Sequence, residues 1–128
     1  MIYVDTSVVL AQLLSEPRRP EPSFWQADLV TSRLTEYETW VRLHAYGVAQ
    51  ARGPRANEMF AEFVLLELDE AACSRCRTPF PFPVRTLDAL HLAAVDSLHR
   101  SGLLVEIATY DDRLRRAAEA SGFPVRAM

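Results

Sequence analysis

The sequence predicts an α/β domain in which a parallel β-sheet lies between two layers of helices. Short apolar segments rich in β-branched residues alternate along the chain with longer segments of helical periodicity. Strands that alternate with helices form a parallel sheet that is covered on both faces. The length of 128 residues and the hydrophobic content of 49% fit one domain spanning residues 1–128.

The N-terminal half contains two predicted strands and two predicted helices. Ile2–Val4 is a buried strand candidate because it is short, apolar and β-branched. A helix is expected over Ser7–Leu14 and a second strand over Leu29–Thr31. A long helix is expected over Leu34–Ala51, ending near the pair Gly53-Pro54, because proline interrupts a helix.

The C-terminal half continues the alternation. Thr86 is a suitable N-cap for the strongest helical pattern, and Gly102 lies just beyond its end. The segment Val64–Leu68 is strand-like, although it could extend the preceding helix. The predicted elements are, in order, a helix at 55–63, a strand at 64–68, a short helix at 71–77, a helix at 86–100, a strand at 103–108, a helix at 111–120 and a last short strand at Val125.

Composition excludes several classes of function. The net charge is −3, which argues against a protein that coats nucleic acid nonspecifically, but not against an enzyme that acts on it. All 14 basic residues are arginine, so neither a phosphate-binding P-loop lysine nor a Schiff-base lysine is available. Cys73 and Cys76 lack two further ligands for zinc and are expected to be two thiols on a short helix. No signal peptide and no apolar run of about 20 residues is present, so a cytoplasmic protein without a membrane span is expected.

Two aspartates follow predicted strands. Asp5 comes directly after the first strand, and Asp111 follows the strand that ends at Ala108. Each could simply cap the helix that follows. Ligands of parallel sheets gather at the carboxyl ends of the strands, so two acids in equivalent positions favour a shared site.

Two further acids lie on predicted helices. Asp88 is in the first turn of a helix that is apolar on most sides, where it suits the helix dipole but also needs a partner if it is buried. Glu38 lies along an apolar stripe of its helix, and Glu36, in a more polar setting, is the competing candidate. Carboxylates gathered in one cleft repel each other unless a cation binds them, and oxygen ligands suit Mg²⁺ or Mn²⁺.

Several segments, read together, are similar to the PIN-domain family and specifically to VapC toxins. They are the opening Ile2-Tyr3-Val4-Asp5-Thr6-Ser7, the segment from Val30 to Glu38, the run Arg85-Thr86-Leu87-Asp88-Ala89-Leu90-His91-Leu92-Ala93, and the stretch from Ala108 to Leu114 with Gly122 to Val125 after it. The resemblance covers nearly the whole chain. The run from Arg85 to Ala93 is its most distinctive part.

The resemblance implies a three-layer α/β/α fold and metal-dependent hydrolysis of RNA phosphodiesters with Mg²⁺ or Mn²⁺. Asp5, Glu38, Asp88 and Asp111 match the family's four catalytic and metal-binding acids. Ser7 and Thr109 match supporting positions, whereas Asp112 and Asp96 are less secure and Glu36 competes with Glu38. The resemblance also implies a VapB-like antitoxin as partner and a homodimer.

The same residues allow other interpretations. A PIN-like module could bind RNA or protein without cleaving, and a related nuclease could act on DNA. A phosphotransfer domain or phosphatase is disfavoured because Asp5 is followed by Thr-Ser and lysine is absent. His91 is expected to bond a neighbour rather than a metal, and Arg113, Arg115 and Arg116 are expected to form a solvated helix face.

Overall fold

The computed structural model describes residues 1–128. A short 3-10 helix spans Pro22–Gln26 in addition to the main elements. These are, in chain order, β1 (Ile2–Val4), α1 (Thr6–Leu13), β2 (Leu29–Ser32), α2 (Arg33–Ala45), α3 (Ala49–Ala61), β3 (Val64–Leu66), α4 (Glu70–Arg75), α5 (Thr86–Arg100), β4 (Glu106–Ala108) and α6 (Asp112–Ala120).

The four strands form one parallel sheet in the order β3-β2-β1-β4. Tyr3 of β1 lies opposite Val30 of β2 on one side and Ile107 of β4 on the other. The strand order changes direction at β1, since β2 and β3 lie to one side of it and β4 to the other. Open parallel sheets bind ligands at such a switch point, beyond the carboxyl ends of the strands.

The sheet separates two hydrophobic cores, as the predicted three-layer fold requires. Alternate residues of β1 serve the two sides, with Ile2 and Val4 in one core and Tyr3 in the other. Helices α1, α2 and α3 contribute to the first core, and α5 and α6 to the second. The predicted fold class is therefore confirmed.

The long helix predicted over Leu34–Ala51 is wrong, because the chain forms two helices there. Gly47 has a φ of +68°, the left-handed conformation that ends many helices. The N–H of Val48 donates to the carbonyl of Leu43, and that of Gly47 to the carbonyl of His44, which together form a Schellman motif. The break therefore comes at Gly47, and Pro54 lies inside α3.

The remaining boundaries differ by a few residues from the prediction. Val64–Leu66 is a strand, so the option of an extended helix is excluded. Arg85, rather than Thr86, is the N-cap of α5. Val125 forms a single bridge to Ile107 instead of a full strand. No helix combines the length and apolar character that a membrane crossing requires.

Candidate active site

Asp5 follows β1 directly and caps α1. Its Oδ2 accepts hydrogen bonds from the N–H of Ser7 (3.3 Å), the hydroxyl of Ser7 (2.6 Å) and the hydroxyl of Thr109 (2.8 Å). The residue is only 4% exposed. Its Oδ1 lies 3.4 Å from the Nε2 of His91. One carboxylate oxygen is therefore fixed by three donors, while the other has a single, longer contact.

The hydroxyls of Ser7 and Thr109 join the ends of β1 and β4. The N–H of Tyr110 donates to the Ser7 hydroxyl at 2.9 Å, and the N–H of Asp111 donates to the Thr109 hydroxyl at 3.0 Å. Both hydroxyls donate in turn to Asp5. Ser7 and Thr109 therefore both contact Asp5 directly, as the sequence predicts for residues that support it.

Glu38 and His91 form a second pair beside Asp5. The Oε1 of Glu38 accepts a hydrogen bond from the hydroxyl of Thr6 at 3.0 Å and lies 2.8 Å from the Nε2 of His91. The Nδ1 of His91 lies 2.8 Å from the hydroxyl of Tyr3. His91 is buried, and it therefore links the sheet to both acids. The expectation that His91 bonds its neighbours is confirmed.

The surroundings of His91 favour its charged form. Burial alone would lower the pKa of His91, since a low-dielectric environment disfavours a charge. The hydroxyl of Tyr3 and the carboxylates of Glu38 and Asp5 act in the opposite direction and raise that pKa well above its usual range. A protonated His91 offsets part of the negative charge of the two acids.

Asp88 and Asp111 lie on either side of Arg113. The Nε of Arg113 donates to the Oδ2 of Asp88 at 2.7 Å, and its Nη2 lies 3.9 Å from the Oδ2 of Asp111. The Oδ1 of Asp111 accepts from the N–H groups of Arg113 and Leu114, which makes Asp111 the N-cap of α6. Arg113 is thus turned onto the acids, and its assignment to a solvated face was wrong.

Asp5, Glu38, Asp88 and Asp111 line one open cleft of about 530 Å³. Each has one oxygen held by donors from the chain, and the second oxygen makes no hydrogen bond within it. Only two of the 13 lining residues are hydrophobic. The cleft is lined by Asp5, Thr6, Ser7, Leu10, Glu38, Arg42, Arg85, Thr86, Leu87, Asp88, His91, Asp111 and Arg113.

The other acids considered from the sequence lie outside this cleft and pair with arginines. Glu36 contacts Arg33 at 2.8 Å, so Glu38 is the acid of this helix that faces the cleft. Asp96 is 3.2 Å from Arg75, and Asp112 is an exposed partner of Arg115. The thiols of Cys73 and Cys76 are free, one on α4 and one at its end.

The carboxylate oxygens of the cleft are the type of ligand that Mg²⁺ and Mn²⁺ prefer. No three acidic, histidine or cysteine side chains converge tightly enough to enclose an ion by themselves. An ion held here would keep much of its water shell, as Mg²⁺ usually does in proteins. The residues therefore fit an open, partly hydrated site of the kind that leaves room for a substrate.

Three contributors to this site were not identified from the sequence: Tyr3, Thr6 and Arg113. Tyr3 was read only as part of the first strand, and Thr6 only as a hydroxyl residue beside Asp5. Their partners, His91 for Tyr3 and Glu38 for Thr6, are distant in the chain, and nothing local in the sequence signals those contacts. Arg113 could have been found because it lies two residues after Asp111, at a helix start that faces the acids.

Comparisons with known proteins point to one family. Residues 2–120 match the family model described as PIN domain. Ribonuclease VapC47 of Mycobacterium tuberculosis (strain CDC 1551 / Oshkosh) is 33% identical over 130 residues, which span 96% of this chain and 93% of the relative. Ribonuclease VapC46 of Mycobacterium tuberculosis (strain ATCC 25618 / H37Rv) is 33% identical, covering 97% of this chain and 95% of the relative.

A solved structure shares the fold. A chain of a toxin–antitoxin complex from Klebsiella pneumoniae superposes with a TM-score of 0.62 at 21% sequence identity. The match covers 87% of each chain. The parallel sheet, and with it the strand ends that carry Asp5 and Asp111, therefore belongs to an architecture already seen in an experimental structure.

Proposed function

Because the chain belongs to the PIN-domain family, we propose that it is a metal-dependent endoribonuclease and the toxin of a VapBC-type toxin–antitoxin pair. The relatives that it matches over nearly their whole length are ribonucleases by name.

One observation carries the proposal. Four carboxylates from four different parts of the chain line the same cleft, and each keeps one oxygen free of hydrogen bonds within the protein. None of these four free oxygens is buried away from solvent, so each opens onto the cleft, where neighbouring negative charges repel one another unless a cation lies between them. Four such groups together favour a site that takes up a cation.

We assign Asp5, Glu38, Asp88 and Asp111 as the residues that would hold Mg²⁺ or Mn²⁺, directly or through its waters. When bound, the ion would stabilise the charge that develops on the phosphate and favour deprotonation of the attacking water. Asp5 keeps one orientation because three donors fix its Oδ2. Asp111 is fixed in the same way by two N–H groups of α6.

Glu38 orients the attacking water through the oxygen that Thr6 and His91 leave free. Water adds to phosphorus, and the bond from phosphorus to the 3′ oxygen breaks. The products are a 5′-phosphate and a 3′-hydroxyl. No side chain becomes covalently attached along this route.

The partners follow from the same assignment. The name VapC given to the relatives supports a cognate VapB-like antitoxin as partner of this chain. A homodimer and a cytoplasmic site of action are further parts of the proposal and rest on the family resemblance alone. Sedimentation or light scattering of the purified chain would test the dimer directly.

The alternative is a PIN-like module that binds RNA or protein without cleaving it. Such a module would be favoured if a site acid were missing or turned away from the cleft. All four acids are present in this chain and line the cleft. The enzyme is therefore the better supported of the two.

The experiment is an incubation of purified, antitoxin-free protein with total bacterial RNA in Mg²⁺ or Mn²⁺, beside an EDTA sample. Asp5→Asn removes the buried acid while keeping its shape. Asp28→Asn is the matched control, because Asp28 is exposed, lies outside the cleft and forms no ion pair. Cleavage is expected from wild type and Asp28→Asn, and not from Asp5→Asn or in EDTA.

Two outcomes would contradict the proposal. Intact RNA with folded wild-type protein in both metals would favour the binding module. Cleavage that survives both EDTA and Asp5→Asn would refute the metal site assigned here. A parallel incubation with DNA decides between the two kinds of nucleic acid.

A further inference from the structure

Two arginines of the cleft, Arg42 and Arg85, lack any ion pair. Eight of the 14 arginines of the chain contact a carboxylate, and these two are not among them. Both are exposed, and both line the same cleft as the four acids. Their guanidinium groups are therefore free to bind an anion that enters the cleft.

Each of the two arginines lies one helical turn from a site acid. Arg42 follows Glu38 by four residues on α2, so both side chains share one face of that helix. Arg85 precedes Asp88 by three residues at the start of α5. Arg42 therefore lies beside a site acid on α2, and Arg85 lies beside a site acid on α5.

We propose that Arg42 and Arg85 bind the RNA backbone phosphates that flank the phosphate being cleaved. This inference rests on the function proposed above. A planar guanidinium matches a phosphate with two parallel hydrogen bonds, and arginines are common partners of nucleic-acid backbones. The substrate class is a single RNA strand whose neighbouring phosphates reach both helices.

Charge explains why the cleft needs these cations. Four carboxylates line it, and Arg113 and His91 are already engaged with them. A polyanionic substrate that enters would be repelled by the acids on both sides of the reacting phosphate. The guanidinium groups of Arg42 and Arg85, which no carboxylate of the chain neutralises, are available to offset this repulsion.

The first turn of α5 adds to the site beside Arg85. No side chain caps the N-terminus of this helix, and Thr86 and Leu87 line the cleft with Arg85. The N–H groups of a helix start attract anions. They reinforce an anion site that the arginine defines.

The test compares Arg42→Ala, Arg85→Ala and their double variant in the Asp5→Asn background, which keeps RNA intact. Binding of end-labelled total bacterial RNA is measured in Mg²⁺ at several salt concentrations. The matched control is Arg19→Ala with Arg52→Ala, because both are exposed, free of ion pairs and outside the cleft. Thermal melts check folding, which no variant should change.

We expect each cleft substitution to weaken binding about tenfold, as for one charge-assisted contact. The logarithm of the association constant decreases linearly with the logarithm of the salt concentration, and this negative slope should become shallower by about 0.7 for each phosphate contact that is lost. The control pair should change neither quantity to that extent. Arg→Lys at both cleft positions should restore most of the slope, because the charge returns, but not all of the affinity.

A double cleft variant that binds like the control pair overturns the inference. If wild-type protein still cleaves RNA in a metal-dependent way in that case, the proposed function stands and only the role of the two arginines fails. If the Asp5→Asn parent binds no RNA and the wild type cleaves none, both the proposed function and the role of the two arginines are refuted.

Discussion

Thr109 offers a direct test of how the strand ends organise the site. Its hydroxyl donates to the Oδ2 of Asp5 at 2.8 Å and accepts from the N–H of Asp111 at 3.0 Å. Thr109→Val keeps the shape and removes both bonds at once. Asp5 loses one of its three donors, and the N–H of Asp111 loses its acceptor.

The expected loss can be estimated from these two bonds. A hydrogen bond to a charged group contributes about 1.5–3 kcal/mol, and the partly buried N–H of Asp111 can turn to water, so the total loss should be about 2–3 kcal/mol. The unfolding entropy of 128 residues is about 0.27 kcal/mol/K, so the Tm should fall by about 7–11 °C. Metal-dependent cleavage should fall about ten- to hundredfold, because a group that orients a metal ligand is lost.

Thr39→Val is the matched control. Thr39 is also fully buried, but its hydroxyl has no hydrogen-bond partner. Removing a buried, unpaired hydroxyl should leave stability unchanged or raise it by about 1 kcal/mol. Differential scanning calorimetry and the cleavage assay measure both variants. Equal Tm shifts for the two variants, or full activity of Thr109→Val, would refute the supporting role of Thr109.

Two further substitutions test the site and the fold. Glu38→Gln should lower cleavage by about a hundredfold or more, because the amide no longer attracts a cation or a proton. Glu36→Gln should stay near wild type, since it loses only one partly exposed ion pair. Equal effects of the two substitutions in the cleavage assay would contradict the choice of Glu38. Gly53→Ala should lower stability by about 1–2 kcal/mol in a denaturant titration, since a Cβ there would lie 2.7 Å from the Trp40 ring. The higher helix propensity of alanine works the other way, so a gain in stability would contradict the close packing.

Local patterns in the sequence predicted the positions of the acids well. Asp5 and Asp111 each follow a short apolar strand, and the pairing of β1 with β4 brings those strand ends together. Glu38 was preferred to Glu36 from an apolar stripe of the helix, and Glu38 does line the cleft. The stripe itself is not buried, however, because Val41 and Ala45 are exposed. The positions of Asp5 and Asp111 therefore followed from short local patterns, whereas periodicity selected Glu38 without giving the right reason for it.

Features that depend on distant contacts were not predictable in this way. Gly53 was read as part of a helix stop, but its small size is required by the ring of Trp40 on the neighbouring helix. The helix stops at Gly47 instead, through a left-handed residue that the pattern alone did not single out. Arg113 and Asp88 are 25 residues apart in the chain and lie on different helices, so helix periodicity could not reveal their contact.

The chemistry of the RNA ends tests the central claim most directly. Fragments produced by wild type in Mn²⁺ should carry 5′-phosphate and 3′-hydroxyl groups, and Asp5→Asn should produce none of them. Digestion by a 5′-phosphate-dependent exonuclease detects the 5′-phosphate, and joining of an adapter by an RNA ligase detects the 3′-hydroxyl. Neither assay requires the cleavage sequence to be known. Fragments with 5′-hydroxyl and 2′,3′-cyclic phosphate ends would mean attack by the ribose itself, and would contradict hydrolysis by a metal-activated water in this cleft.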